Sequence, residues 1–277
     1  GGLLRDGPDY FEIAPETVWM PGPGEDFIAN GFHHQFKKLG EETGKAFVAH
    51  GVGFNLGGVC ADPERRQRWL TAMRMSHQIF DFQWYTDHLG LTVPNGEEFL
   101  LPIGLPYTHE SARVVADSLA SMQTIVPDVG LENSVFYFHL GDPLAEPEWI
   151  ARCIAAPNTH LLLDLHNVYT TALNVGYDPR EYIDRMPLDR VIEIHMSGGS
   201  WSDPGWLKSQ KLVRLDSHDE AIPEEVWALF EQVLPRCPAL RGVTLERMEG
   251  TLAEPDVERL TEELHRLRRT VELTHAR

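Results

Sequence analysis

The sequence predicts an α/β fold of the (β/α)8 barrel class. Three observations predict it: short β-rich runs recur about eight times, helical patterns separate most of them, and 277 residues suit eight strand–helix units. The expected strands are Tyr10–Ala14, Ala46–His50, Phe80–Tyr85, Val129–Phe138, His160–Leu165, Arg190–His195, Lys211–Leu215 and Gly242–Glu246. Most are continuous apolar runs, as parallel strands buried on both faces require. Helices are expected where a cap meets apolar residues at helical spacing. Asp62 and Pro63 open a helix through Trp69, Met73 and Ile79, and Thr108 caps Ser111–Ile125. Pro147 opens Glu148–Ala155, Pro223 opens Glu224–Leu234, and Glu254–Glu272 ends the series. No linker rich in Ser, Gly or Pro interrupts the chain, so one domain over 1–277 is expected. A doubly wound open sheet is the alternative, but no G-x-G-x-x-G follows the first strand.

Composition narrows the function. Asp and Glu number 42 against 24 Lys and Arg, a formal net charge of −18. Such a chain repels phosphate backbones, so no nucleic-acid partner is expected. No run of about 18 apolar residues occurs, so no membrane span is expected. Cys60, Cys153 and Cys237 lie too far apart for a disulfide framework or a thiolate zinc site, which fits a reducing cytoplasm.

The residues at the carboxyl ends of the expected strands form the informative pattern. In chain order they are His50; Asp87 and His88; Glu132 and Asn133; Asp164, with His166 and Asn167 just after; His195; Asp216 and His218; and Glu246. In an α/β barrel these ends surround a single site. One His or carboxylate at a strand end is ordinarily a hydrogen-bonded structural residue or a cap. Seven consecutive strands each contributing one is a different matter. Unpaired carboxylates gathered in one buried volume would each cost several kcal/mol, and bound cations remove that cost. Four His, four carboxylates and an Asn exceed the needs of one ion, so two or three are expected. Mixed imidazole and carboxylate ligation suits iron, zinc or manganese.

This ordered set resembles two related barrel families. One is the endonuclease IV family of trinuclear zinc enzymes, from which the chain departs at Asn167. The other, the multinuclear non-haem iron-dependent oxidative enzymes, is similar over more of the chain, from about residue 9 to 250. Its strings include Asp9-Tyr10-Phe11-Glu12-Ile13-Ala14-Pro15-Glu16, His50-Gly51-Val52-Gly53, Thr86-Asp87-His88-Leu89 and Leu105-Pro106-Tyr107-Thr108-His109-Glu110. Glu132-Asn133, Asp164 with Asn167-Val168-Tyr169, Asp216-Ser217-His218 and Val226-Trp227 continue them. In that family an Asn three residues after the Asp is expected, as found at Asn167.

The resemblance implies a xylose isomerase-like TIM barrel and an oxidase or oxygenase acting on a ribosomally made precursor peptide, most often at cysteine. It implies two or three iron ions, dioxygen as co-substrate, and a partner protein that binds the peptide's leader. One iron would be held by His50, His88 and Glu132. Glu132 would bridge to a second, held also by Asp164, His195 and Glu246, and a third would take Asn167, Asp216 and His218. Asp87 and Asn133 would orient ligands without binding metal. His166 could be an extra ligand or orient one; the second is preferred, because Asp164 and residue 166 share a strand face only if the strand stays regular to its end. Two positions depart from the family: His166 stands where Asn is common, and Gly199 where His is common.

Competing readings are a zinc-dependent phosphodiesterase, opposed by the charge, and a sugar isomerase or epimerase, opposed by the excess of His. A metal-storing barrel is the non-enzymatic alternative. The residues alone do not choose between iron and zinc; the resemblance to the iron-dependent family makes zinc the less favoured. Ser197–Gln210, with three Gly and two Trp, is expected to form a long loop that serves as a lid or a substrate-binding element. Lys208, Lys211 and Arg214 could attract a peptide carboxylate, although a solvated face is the reading preferred. His33 and His34 are expected on the surface or in a substrate groove.

Overall fold

The computed structural model describes residues 5, 7–23, 26–58, 63–94, 99, 102–248, 250–251, 253 and 256–275. Cys60, the Asp62 cap and the Glu254 helix start lie outside the described residues. The chain resolves into two compact units, one of residues 1–132, 139–141 and 149–160, the other of 133–138, 142–148 and 161–277.

In the first unit, β1 (Tyr10–Ile13) is followed by an antiparallel pair, β2 (Trp19–Pro21) and β3 (Phe27–Ala29). Helix Gly31–Thr43 leads to β4 (Ala46–Gly51), helix Pro63–Phe80 to β5 (Tyr85–His88), and helix His109–Met122 to β6 (Val129–Glu132). β1, β4, β5 and β6 are parallel neighbours in that order. Val129 N–H donates to the Asn158 carbonyl (3.1 Å), which sets β6 beside the start of β7 (Thr159–Asp164). The core joins Val48, Tyr85 and Leu131, each fully buried. Side chains of this size contribute about 1.5–3 kcal/mol apiece on burial. Trp69 stands edge-on to Trp19 and donates its Nε1–H to Tyr85 Oη (3.1 Å), tying helix Pro63–Phe80 to β5.

The second unit takes the rest of β7, helix Leu165–Val175, the short helix Pro179–Asp184, β8 (Val191–Met196), helix Glu224–Val233, β9 (Gly242–Leu245) and helix Asp256–His275. β7, β8 and β9 are parallel neighbours. All six residues of β8 are buried, as for a strand covered on both faces. Val226, Phe230 and Val233 supply the apolar stripe of one covering helix.

Caps account for several helix starts. Thr108 and Ser111 form a capping box, Asp164 caps helix Leu165–Val175, and Asp178 caps the helix that Pro179 opens. Among the described residues no helix is long and apolar enough to cross a membrane.

Three expected strands are corrected. Phe80–Tyr85 is displaced: the helix keeps its bonding through Phe80, Asp81 turns the chain at φ 50°, and pairing starts with Ala49 opposite Tyr85. Val129–Phe138 stops at Glu132, because Asn133 turns its side chain to the Asp164 backbone. Lys211–Leu215 is no strand. It folds back on its own loop through a single Trp201–Arg214 bridge, with Ser202 N–H on the Val213 carbonyl (2.8 Å) and Leu215 N–H on the Ser200 carbonyl (2.9 Å). Leu212 is left exposed, so this run lacks the two buried faces of the others. Parallel strands among the described residues therefore number seven, with eight expected.

Candidate metal centre

Register places the first group of candidate ligands. β5 and β6 pair His88 with Glu132, and β4 ends at the neighbouring His50 and Gly51. Glu132 Oε2 lies 3.2 Å from His50 Nε2 and 3.0 Å from His88 Nε2. His88 Nδ1 lies 3.0 Å from the Gly51 carbonyl oxygen. A carbonyl only accepts, so Nδ1 carries the hydrogen, and the Nε2 of a neutral ring turns its lone pair toward a carboxylate. A cation between them turns that repulsion into ligation. Donors about 2.1 Å from one ion sit roughly 3.0–3.4 Å apart, so the observed spacings fit a metal. Burial pulls the His50 pKa down, yet the hydrogen bond and charge of Glu132 outweigh it and leave it raised.

The loop after His50 is pinned from below. Val52 and Gly53 N–H groups donate to Glu16 Oε1 (2.6 and 3.0 Å). Phe54 N–H and Tyr85 O–H donate to Asp87 Oδ2, each at 3.3 Å. A side chain at Gly51 would collide with the Asp87 carboxylate, so only glycine lets the loop pass. Burial, and then the charge of Glu16, pushes Asp87 up to about 7.

The second group is richer in acid. β7 and β8 pair Asp164 with His195, and Glu246 directly follows β9. Asp164, His218 and Glu246 each offer a ligand atom within 4.8 Å of the others. Glu246 reaches His195 Nδ1 (3.1 Å) and His218 Nδ1 (3.4 Å), while Asp216 Oδ1 reaches His218 Nε2 (2.6 Å). Burial lowers the His218 pKa, but the charge of Glu246 and then the hydrogen bond and charge of Asp216 push it up to about 10. Burial pushes Asp216 up, yet the imidazoles of His166 and His218 beside it hold it far below the usual carboxylate range. His218 has φ 49°, a left-handed conformation uncommon for a non-glycine residue and typical of strained functional positions.

Asn133 braces this group. Its side chain bonds both ways with the Asp164 backbone, each at 2.9 Å, and its carbonyl accepts from Asn167 Nδ2 (3.1 Å). Asn167 therefore turns Oδ1, its acceptor, away from that bond. Asp164 Oδ1 accepts the Asn167 N–H (2.6 Å) as a helix cap, leaving Oδ2 as its second buried acceptor.

His166 is fully buried, with Nε2 3.2 Å from Thr170 Oγ1 and 3.5 Å from Arg214 Nη2. A guanidinium donates only, so Nε2 accepts and the ring hydrogen sits on Nδ1, which faces Asp216 Oδ1 at 3.8 Å. A Cβ on Gly199 would strike the Leu215 carbonyl and stand 2.9 Å from His166 Cε1. The two departures thus share one place: the His166 imidazole fills the space a side chain at 199 would need.

Sequence reasoning missed Glu16 and Glu193. Glu193 lies two residues before His195 and so on the same strand face, which was a readable signal; its Oε1 is 3.9 Å from His195 Nε2 and accepts from Thr244 Oγ1 (2.6 Å). Two expectations are corrected. Arg214 is buried rather than solvated, because its guanidinium stacks on Tyr169 and Trp201. His33 is buried against Phe80 rather than exposed, the rings 4.9 Å apart.

A family model described as "RiPP precursor modification enzyme MbnB/TglH/ChrH" matches residues 3–272. The chain belongs to this family. Members act in modifying ribosomally made precursor peptides. A UPF0276 protein of Caulobacter vibrioides is 35% identical over 264 residues, covering 91% of this chain and 85% of the relative. Another, of Acaryochloris marina, is 32% identical over 225 residues, covering 80% and 77%. Among solved structures, D-psicose 3-epimerase of Clostridium cellulolyticum aligns with a TM-score of 0.59 at 13% identity, covering 97% of this chain and 91% of that one. A xylose isomerase domain protein of Alicyclobacillus acidocaldarius aligns with a TM-score of 0.51 at 19% identity, covering 88% and 84%. These likenesses show the fold, that of the xylose isomerase-like TIM barrels, and nothing of substrate.

Proposed function

We propose that this member of the RiPP precursor modification family is an iron- and dioxygen-dependent enzyme that oxidises a residue, cysteine foremost, of a precursor peptide. Family membership over residues 3–272 supports the peptide substrate. The observation that carries the metal is the set of imidazole nitrogens turned onto carboxylate oxygens at 3.0–3.4 Å in both groups.

In this reading His50, His88 and Glu132 hold one iron. Asp164, Asn167, His195, Asp216, His218 and Glu246 hold the remainder. Iron supplies the activation of dioxygen and the oxidising power. The chain's own residues do the rest. Thr86, 2.9 Å from His50 Nδ1, and the Gly51 carbonyl fix the imidazole faces. Asp87 and Glu16 hold the loop that carries His50. Asn133 holds Asp164 and Asn167 together, and His166 steadies Asp216 through its Nδ1 hydrogen rather than binding metal. The mixed nitrogen and oxygen donor set suits iron, with no thiolate among the proposed ligands. A leader-binding partner protein completes the reading by family resemblance, and the chain's acidic charge speaks against DNA.

The test is mass spectrometry of precursor peptides encoded beside the gene, incubated with the iron-loaded protein and its partner in air. A mass change that requires both iron and dioxygen is expected. A change that proceeds with zinc alone under argon would contradict the reading.

A further inference from the structure

Arg214 offers no ligand atom to the metal groups and touches them only through His166, and its setting calls for a further role. It is 7% exposed, its Nε is buried without a hydrogen-bond partner, and among the described residues it has no carboxylate counter-ion. A buried cation left uncompensated is costly. The backbone around it is fixed: Arg214 N–H donates to Asn174 Oδ1 (2.8 Å), and Asn174 Nδ2 donates back to the Arg214 carbonyl (2.9 Å). The guanidinium carbon lies 5.3 Å from the Tyr169 ring and 5.8 Å from that of Trp201, which leaves the edge of the fork as its bonding surface. Through His166 it stands one imidazole away from Asp216. Trp201, Trp206 and Leu212 lie exposed on the same loop, an apolar approach of the kind a peptide can lie along.

We propose that Arg214, flanked by Tyr169 and Trp201, binds a carboxylate of the peptide substrate and so sets which residue reaches the second metal group. This rests on the peptide-modifying reading above. A planar fork matches a carboxylate through two parallel hydrogen bonds. The carboxylate can be the peptide's C-terminus or an acidic side chain near the modified residue.

Calorimetry with three short cysteine peptides tests this on the full iron-loaded protein under argon, where no turnover occurs. One peptide has a free C-terminal acid, one is amidated, and one is amidated but carries an Asp beside the cysteine. A carboxylate-bearing peptide is expected to bind about tenfold or more tightly than the plain amide. Recovery with the Asp peptide assigns the side chain, and its absence the C-terminus. Arg214→Met should erase the preference, and Arg214→Lys should keep part of it. Equal binding of all three peptides, no binding of any, or a preference that survives Arg214→Met overturns the proposal. The wild-type comparison needs no variant, so misfolding of one leaves it decisive. Failure of iron-dependent oxidation would count against the proposed function alone, since binding is read without it.

Discussion

The first group of candidate ligands sets one carboxylate, Glu132, against two imidazoles, whereas the second sets Asp164, Asp216 and Glu246 against His195 and His218. The difference is one of charge. With neutral rings the first group carries one negative charge and the second three. A divalent ion more than neutralises the first. The second without metal draws protons instead, which is why His218 is pushed up to about 10 against the pull of burial. The same ligand types would therefore meet metal under different charge: without it both groups draw a proton to an imidazole, His50 in the first and His218 in the second, but the second holds three carboxylates against one.

Single-ligand variants break this comparison most severely. His88→Ala should lose the metal of the first group and Asp216→Ala that of the second, each abolishing turnover while far-UV circular dichroism stays native. Unchanged metal content and full activity in both would remove the site altogether. His166→Ala should weaken metal binding in the second group by roughly 10–100-fold without emptying it, the size expected for a residue that steadies a ligand. Competition with a chelator reads this, and a loss as complete as that of Asp216→Ala would make His166 a ligand.

Proton release sharpens the contrast. His218 stays protonated until the pH nears about 10, and metal must displace that proton, so affinity in the second group rises with pH over that range. The expected slope is about tenfold per pH unit per proton displaced. Chelator competition on His88→Ala, which retains only the second group, measures it, and a flat profile would contradict the charge argument. The smallest effect concerns Asp87 in the metal-free protein. Its carboxyl is raised from 3.8 to about 7, so between those values the folded chain keeps a proton that the unfolded chain has lost. Stability from this group falls as pH rises through that window. Asp87→Asn should flatten the fall in melting temperature between pH 4 and 8, and an equal fall in both proteins would place its origin elsewhere.

Much of this was legible because parallel strands of one fold class end at one face. His50, Glu132, Asp164, His195 and Glu246 each follow or close a run whose apolar character marks it as a strand. Asp216 and His218 were legible for a different reason. They stand at the end of an expected strand that does not form, and the motif Asp216-Ser217-His218 points to them independently of it. Arg214 was misread because charge in a polar loop suggests solvent, and nothing local announces that Tyr169, more than forty residues earlier, lies beside it. The end of β6 was misread because a side chain, Asn133, stops the ladder by bonding to the backbone of Asp164, a contact made only in the folded chain. Gly199 and His166 looked like two unrelated departures, and the space they share is visible only in three dimensions.

Metal analysis by mass spectrometry, on protein purified without added metal and without oxygen, tests the central claim most directly. The account predicts two to three irons per chain. Two to three zincs, with iron failing to bind even when supplied, or no stoichiometric metal at all, would contradict it.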